Sequence, residues 1–329
     1  MRAGRGVLLA GIVAVCLFAV TQSVRNQERA DKVIRIAVSK TALSAPLIIA
    51  EQQGLFARFG LKVELIQLKG GVRCAQLLNQ GMAEYATASE SVLLAERRRQ
   101  HDLVLLASFV ESDNDLKLLS LASSPIQAIA DLSQRRVGMT PGSASEFYFD
   151  AVVIASGLRS MQVNKVYLTS DKLDSALLSG EVDAVSVWEP HGYYAYAQTS
   201  GQVRELGIPG VYTLSFNLIS QRAYAEQNTD EARRLLSALN LATQWIHDHP
   251  ERARQQVATA LGLSHDLIHW VWDDYIFRVS LSNALMSNLR YQMRWSQQQG
   301  KVDGGSMELS HVIDQRPFER AMQTEVPLQ

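Results

Sequence analysis

This chain has few cysteines, a net charge near zero and no common catalytic motif, and each of these features excludes a class of protein. The 329 residues include two cysteines, and the 32 Lys and Arg residues nearly balance the 33 Asp and Glu residues. Two cysteines cannot form a disulfide scaffold. A net charge near zero removes the electrostatic basis for nucleic-acid binding, which needs clustered cations. With 47% hydrophobic residues, a chain of this length can instead build two globular lobes.

Enzyme and metal motifs are missing as well. The chain contains no GxSxG, P-loop, GxGxxG or HExxH sequence. His265 and His269 have the spacing that places two side chains on one helix face, but no third ligand accompanies them. We therefore expect no metal and no cofactor.

The N-terminus has the pattern of an export signal. Arg2 and Arg5 precede an uncharged apolar stretch at 7–20, which polar residues follow at 21–23. Fourteen helical residues rise about 21 Å, which is short of the roughly 30 Å hydrocarbon core. We expect residues 1–23 to be a signal peptide of an exported, periplasmic protein. An uncleaved anchor through residues 7–24 is the alternative.

From residue 33 onward, short β-branched segments alternate with helical ones. This alternation predicts an α/β fold with largely parallel sheets and right-handed crossovers. Strands are expected at 33–38, 62–68, 85–88, 104–110, 116–122, 136–140, 163–168, 182–188 and 212–220. Helices are expected at 46–59, 75–80, 91–99, 144–156, 173–178, 190–198, 230–249, 250–261, 265–275 and 282–300. The segments at 111–117 and 209–218 are where we expect the chain to pass between the lobes.

Five turns stand where strands end and helices begin, which is where open α/β sheets bind ligands. They are 39–44, 70–72, 87–91, 140–146 and 188–191. Simple helix capping is the alternative for two of them, because Ser143 with Glu146 and Thr87 with Glu90 both fit a capping box. Trp188 is either a core residue or a flat cleft wall.

The order of several short segments resembles the nitrate, sulfonate and taurine family of periplasmic solute-binding proteins of ABC importers, which also has thiamine-pyrimidine-like members. The matching segments are PLIIAE at 46–51, GLF at 54–56, SPI at 124–126, DL at 131–132, GS at 142–143, and ALLSGEVDA at 176–184 followed by WEP at 188–190. Two departures are Glu84 in place of the family's Asp and the missing Gly after Asp131 and Leu132.

The resemblance implies the two-lobed periplasmic-binding-protein type II fold with two hinge crossings. Residues 33–111 and 214–329 would form lobe 1, and residues 112–213 lobe 2. The protein would be a monomer that binds a small solute and docks on an ABC permease in the inner membrane. The ligand contacts implied by position are Ser39, Thr41, Ser44, Gly71, Ser89, Glu90, Ser143, Ser145, Trp188 and Glu189.

The sequence constrains the identity of the solute less closely, and it leaves open whether the protein catalyses a reaction. Glu90, Glu146 and Glu189 near the cleft would repel a bare oxyanion, so we expect a zwitterion, a cation or a polar neutral heterocycle rather than nitrate. The solute classes to weigh are sulfonate, taurine, nitrate and pyrimidine. The alternatives to a binding protein are an enzyme of the pyrimidine-synthesis or dehydratase-like kind, with His191 as its base, and a membrane-tethered ligand sensor.

Overall fold

The computed structural model describes residues 32–298 and 308–323 of the chain. The predicted signal peptide at 1–23, its apolar stretch and the alternative anchor at 7–24 lie outside these residues. In the described part of the chain, no helix combines the length and the apolar character that a membrane span requires.

Two sheets organise the molecule. The first contains β1 (Val33–Ser39), β2 (Lys62–Leu68), β3 (Tyr85–Ser89), β4 (Leu103–Ser112), β10 (Leu214–Gln221) and β11 (Ile276–Ser280), in the spatial order β11-β4-β10-β3-β1-β2. The second contains β5 (Leu116–Leu121), β6 (Arg136–Met139), β7 (Asn164–Tyr167), β8 (Ala184–Trp188) and β9 (Val203–Glu205), in the order β7-β6-β8-β5-β9.

Helices surround both sheets. Those of the first lobe are α1 (Ala45–Gln52), α2 (Leu55–Arg58), α3 (Gly71–Asn79), α4 (Glu90–Arg98), α8 (Arg222–Gln227), α9 (Thr229–Asp248), α10 (Pro250–Leu261), α11 (His265–Trp272), α12 (Asn283–Gln298) and α13 (Arg316–Gln323). Those of the second lobe are α5 (Ala144–Ala155), α6 (Ser170–Leu178) and α7 (His191–Gln198). Short 3₁₀ turns occupy Ala42–Ser44, Ile129–Leu132 and Leu309–His311.

The chain changes sheets twice. It leaves the first sheet after β4 and enters the second at β5, and it returns between β9 and β10. These two passages overlap the segments at 111–117 and 209–218, where the sequence predicts crossings. Each lobe is therefore built around its own sheet, and two short connections join them.

The sheets are mixed, and the direction of each strand follows from its connection. β1 pairs in parallel with β2 and β3, and β6 pairs in parallel with β7 and β8. β10 runs antiparallel to β3 and β4, and β5 runs antiparallel to β8 and β9. β11 also runs antiparallel to β4. Parallel pairing is therefore limited to the strands around β1 in the first sheet and around β6 in the second.

One face of α9 is buried in the core of the first lobe. Its apolar residues recur with helical spacing, and Leu235, Leu239, Ala242 and Ile246 are all buried. α9 packs against α1, α2 and α10, so these helices cover the sheet as one layer. This layer fixes the start of α1, which follows the turn after β1.

Several elements differ from the expectations. The helix expected at 46–59 is divided, because Gly54 adopts a left-handed conformation with φ of 65° between α1 and α2. The sequence analysis missed β9 and β11, which are three and five residues long and lie at sheet edges. It also missed α8 and α13. Elements this short carry too few residues for a periodic signal.

Candidate functional site

A cavity lies between the two sheets, at the carboxyl ends of the strands. Thirteen residues from both lobes line it: Ser39, Thr41, Leu43, Gly71, Val72, Ser89, Val92, Asp115, Ser143, Ala144, Trp188, Leu214 and Phe216.

Three helices begin at the wall of this cavity. α3 starts at Gly71, α4 follows its N-cap residue Ser89, and α5 follows its N-cap residue Ser143. The first amides of a helix have no carbonyl partner within that helix, and the helix dipole makes this end partly positive. Two helix ends from the first lobe and one from the second therefore offer N–H donors to an anionic group.

Both N-cap serines are held by short-range hydrogen bonds. Ser89 Oγ accepts from the Val92 amide at 3.4 Å, and Ser143 Oγ accepts from the Ser145 amide at 3.2 Å. The expected Thr87–Glu90 capping box is wrong, because Thr87 lies within β3 and its Oγ1 accepts from the Ser39 amide. Capping and cavity lining coexist at both serines, so the two interpretations do not exclude each other.

Gly71 is a glycine because α3 starts against β3. A Cβ atom at this position would lie 3.1 Å from Ala88 Cα and 3.4 Å from the Thr87 carbonyl oxygen. Its absence lets the first amides of α3 approach the end of β3 and the cavity together.

Most of the remaining wall is apolar or aromatic, apart from Thr41 and Asp115. Trp188 ends β8, and its ring lies 3.4 Å from the position that a Cβ of Gly70 would occupy in the other lobe. The apolar lining residues are Leu43, Val72, Val92, Leu214 and Phe216. The cavity therefore joins a polar end with N–H donors to a surface that suits carbon atoms.

Six of the ten predicted contact residues line this cavity: Ser39, Thr41, Gly71, Ser89, Ser143 and Trp188. The other four, Ser44, Glu90, Ser145 and Glu189, are not among the lining residues. Each is buried behind the wall, where it supports the backbone of a lining residue or of a neighbouring element.

Ser44 and Ser145 are fully buried and use their hydroxyls internally. Ser44 Oγ donates to the Ser39 carbonyl oxygen at 2.7 Å. Ser145 Oγ accepts from the Thr140 amide at 3.2 Å and lies 2.9 Å from Ser143 Oγ. Both side chains hold a turn in place, so their assignment as ligand contacts is corrected.

Glu90 is also directed away from the cavity. Its Oε1 accepts from the Tyr212 hydroxyl at 2.6 Å, and its Oε2 accepts from the amide and hydroxyl of Ser215. Burial raises the pKa of Glu90 to about 7, although these hydrogen bonds act in the opposite direction. Glu90 joins the start of α4 to the returning crossing rather than to a ligand.

Glu189 connects the two lobes instead of contacting the cavity. Its Oε2 accepts from the Tyr193 amide at 2.9 Å, and its Oε1 accepts from Trp270 Nε1, on α11 of the first lobe, at 3.0 Å. Glu146 accepts from the Gly142 amide and the Tyr167 hydroxyl. None of the three glutamates lines the cavity, so none of them contacts an oxyanion bound there directly.

Asp115 is the charged lining residue that the sequence analysis missed. It lies in the first crossing, between β4 and β5, and is 1% exposed. The sequence predicts a crossing at 111–117, whereas the predicted ligand contacts all lie at strand ends that precede helices. Nothing local shows that a crossing residue faces the cavity. The apolar lining residues Leu214 and Phe216, on the returning strand, were missed for the same reason.

His191, the base required by the enzyme alternative, is not among the lining residues. Its Nδ1 lies 2.8 Å from the Asp174 carboxylate, and its ring meets the edge of Trp188 at 5.8 Å between centroids. The lining residues include neither histidine nor cysteine. Cys74 is buried within α3, and burial raises the pKa of its thiol to about 12.

Solved structures share this architecture. The alkanesulfonate-binding protein from Xanthomonas axonopodis pv. citri bound to MOPS matches with a TM-score of 0.76 and 20% identity, over 86% of this chain and 98% of that protein. A desulfurization enzyme matches with a TM-score of 0.59 and 16% identity, over 89% of this chain and 99% of the enzyme. The fold is therefore that of the periplasmic solute-binding proteins, which enzymes also use.

The chain belongs to the NMT1/THI5-like family, whose model matches residues 42–253. A putative aliphatic sulfonates-binding protein of Escherichia coli (strain K12) is 26% identical over 79% of this chain and 80% of its own length. A protein of the same name from Bacillus subtilis (strain 168) is 24% identical over 68% of each. The predicted family and the predicted fold class are both confirmed.

Proposed function

We propose that this protein is the extracytoplasmic solute-binding component of an ABC importer and that its solute is a small organic sulfonate. The observation that carries the proposal is the convergence of three helix N-termini, from both lobes, on one cavity. Such ends bind tetrahedral oxyanions through amide N–H groups without needing a cationic side chain. The names of the relatives agree with this chemistry.

Binding uses the two ends of the cavity differently. The sulfonate oxygens take amide N–H donors at the starts of α3, α4 and α5, which are Gly71 and the residues after Ser89 and Ser143, and hydroxyl donors at Ser39 and Ser89. Trp188 covers the carbon part of the solute. Because both lobes contribute donors, the solute favours the state in which the lobes are closed. The moving units are residues 33–111 with 214–329 and residues 112–213, joined at the two crossings.

The proposal also includes export of the protein and its docking on a permease. The N-terminal pattern at 1–23 directs the chain to the periplasm, where the closed monomer docks on a permease of the inner membrane. No bond of the solute changes during capture. Mass spectrometry of the exported protein's N-terminus distinguishes a cleaved signal from an anchor through residues 7–24.

Calorimetric titration with a solute panel tests the function. The panel contains short alkanesulfonates, an aminosulfonate, nitrate, an alkylamine and a pyrimidine. We expect saturable binding of at least one sulfonate, recovered unchanged after incubation. Binding of the pyrimidine or the amine with every sulfonate inert would overturn the proposal, and a chemically altered sulfonate would favour the enzyme.

A further inference from the structure

The Trp188 ring is contacted from both lobes. A Cβ at Gly70 of the first lobe would lie 3.4 Å from its Cζ2 atom. His191 of the second lobe packs against the ring with 5.8 Å between the two centroids and an interplanar angle of 83°. The backbone of β8 fixes where the Trp188 side chain starts, whereas such neighbours determine how the ring is rotated. The aromatic surface that the second lobe presents to the solute therefore depends on residues outside the cavity lining.

The orientation of His191 is in turn fixed by Asp174. His191 is the first residue of α7, and Asp174 lies in the middle of α6. The Nδ1 atom of His191 lies 2.8 and 3.0 Å from the two carboxylate oxygens of Asp174. Because only 15% and 18% of these side chains are exposed, solvent screens the pair less than an ion pair on the surface. A carboxylate beside Nδ1 keeps a proton on that nitrogen and fixes the direction of the imidazole ring.

Asp174, His191 and Trp188 thus form a chain of contacts that ends at the cavity wall. Of the three, Trp188 is the residue that lines the cavity, so His191 has no position from which to act on the solute as a base. The pair of His191 and Asp174 also joins α7 to α6, which is a structural role. A purely structural role predicts lower stability, or an equal loss of affinity for every solute, whereas a role through the Trp188 ring predicts a loss for the part of the solute that the ring covers.

We propose that His191 is a positioning residue for solute binding, which holds the Trp188 ring over the carbon part of the solute. This inference rests on the proposed function and adds to it the group that orients the aromatic wall. When the imidazole is removed, the indole ring gains rotational freedom and covers the carbon atoms less completely. The sulfonate group keeps its donors at the three helix ends, because none of them depends on His191.

Methanesulfonate and propane-1-sulfonate test the proposal, because they share the sulfonate group and differ by two methylene groups. In calorimetry, the wild-type protein should bind propane-1-sulfonate about tenfold more tightly, since full burial of one methylene group is worth about fourfold in affinity. In His191→Asn this preference should fall to about threefold, while the Kd for methanesulfonate should stay within about twofold of the wild-type value. The Asn amide replaces Nδ1 as the donor to Asp174, so the substitution removes the ring and keeps the link between α6 and α7.

A double-mutant cycle shows whether His191 acts through Trp188. In the Trp188→Ala background, His191→Asn should change the Kd for propane-1-sulfonate by less than about twofold, because no indole ring remains to be positioned. A loss in this background as large as the loss in the wild-type background overturns the positioning role. Retained binding of methanesulfonate by His191→Asn shows that the variant is folded, so a smaller preference reports on the ring and not on unfolding.

His249→Asn is the matched control, since His249 also packs on a tryptophan, Trp245, with 4.8 Å between ring centroids and away from the cavity. It should retain the wild-type preference, and an equal loss of preference in this control overturns the inference. A preference that His191→Asn leaves unchanged also overturns the inference, as does a wild-type protein that binds both sulfonates equally, and both results leave sulfonate capture intact. Failure of both sulfonates to bind the wild-type protein overturns the proposed function, and this inference with it.

Discussion

The two lobes contribute unequally to the cavity. The first lobe supplies two helix N-termini and the apolar residues Leu43, Val72, Val92, Leu214 and Phe216, whereas the second supplies one helix N-terminus, Ala144 and Trp188. The first lobe thus supplies most of the cavity lining, and the second lobe adds one ring and one set of amides. In the proposed function, the second lobe closes over a solute that is already bound to the first.

The lobes resemble each other in what lies behind the wall. In each, a glutamate near a strand end supports the backbone rather than the solute: Glu90 in the first, and Glu146 and Glu189 in the second. Two of these glutamates also join the lobes, because Glu189 accepts a hydrogen bond from Trp270 of the first lobe and Glu90 accepts one from Tyr212 in the returning crossing. The lobes are therefore connected by hydrogen bonds outside the cavity.

Removal of the Trp188 ring gives the largest expected effect on affinity. Trp188→Ala takes away the main surface of the second lobe, and we expect the Kd for a sulfonate to rise about a hundredfold. Trp245→Ala is the control, because Trp245 is similarly half-buried but stacks on His249 away from the cavity. Comparable losses of sulfonate affinity in the two variants, measured by calorimetry, would show that the Trp188 ring does not contact the solute.

Glu90→Gln tests the buried acid of the first lobe through the pH dependence of stability. The folded-state pKa of about 7 exceeds the value of 4.5 in the unfolded chain. The protonated form therefore stabilises the fold fully below pH 4.5, and this contribution is lost as the pH rises to about 7. The stability difference between wild type and variant should change by on the order of 3 kcal/mol between pH 4.5 and pH 8.

Urea unfolding measures that difference, and Glu84→Gln is its control. Although burial raises the pKa of Glu84, its hydrogen bonds and ion pair with Arg35 lower it overall. Glu84 contributes stability above its unfolded pKa and loses this contribution only in acid. The stability difference between wild type and Glu84→Gln should therefore stay constant from pH 5 to pH 8. A constant difference for Glu90→Gln as well would contradict the burial of this acid.

Ser89→Ala separates capping from solute contact. The variant loses the N-cap bond to Val92, which costs about 1 kcal/mol of stability, and loses a cavity donor, which should raise the Kd about fivefold. Ser264 caps α11 in the same way through the Leu267 amide, away from the cavity. Ser264→Ala should therefore lose stability alone, and an equal loss of affinity there would refute the contact.

Trp270→Phe gives the smallest expected change. It removes the hydrogen bond to Glu189 between the lobes and retains an aromatic ring beside Tyr196, 5.1 Å away between centroids. We expect dissociation to become about threefold faster with an unchanged association rate, because a hydrogen bond between the lobes must break when they separate. Stopped-flow fluorescence measures both rates, and a slower association alone would contradict the closure role.

The sequence predicted the parts of the site that local chemistry determines. Ser39, Gly71, Ser89 and Ser143 were found because strand ends and helix starts are local features. The direction of the Glu90 side chain could not be predicted, because it depends on Tyr212 and Ser215, which are more than a hundred residues away in the sequence. For the same reason, tertiary pairing rather than sequence pattern determines which crossing and returning-strand residues reach the cavity.

A crystal structure of the protein grown with the sulfonate that binds most tightly in the calorimetric panel tests the central claim most directly. The account predicts one solute between the lobes, with sulfonate oxygens within hydrogen-bond distance of the first-turn amides of α3, α4 or α5. A solute bound outside this cavity, or one with its sulfonate away from all three helix ends, would contradict it.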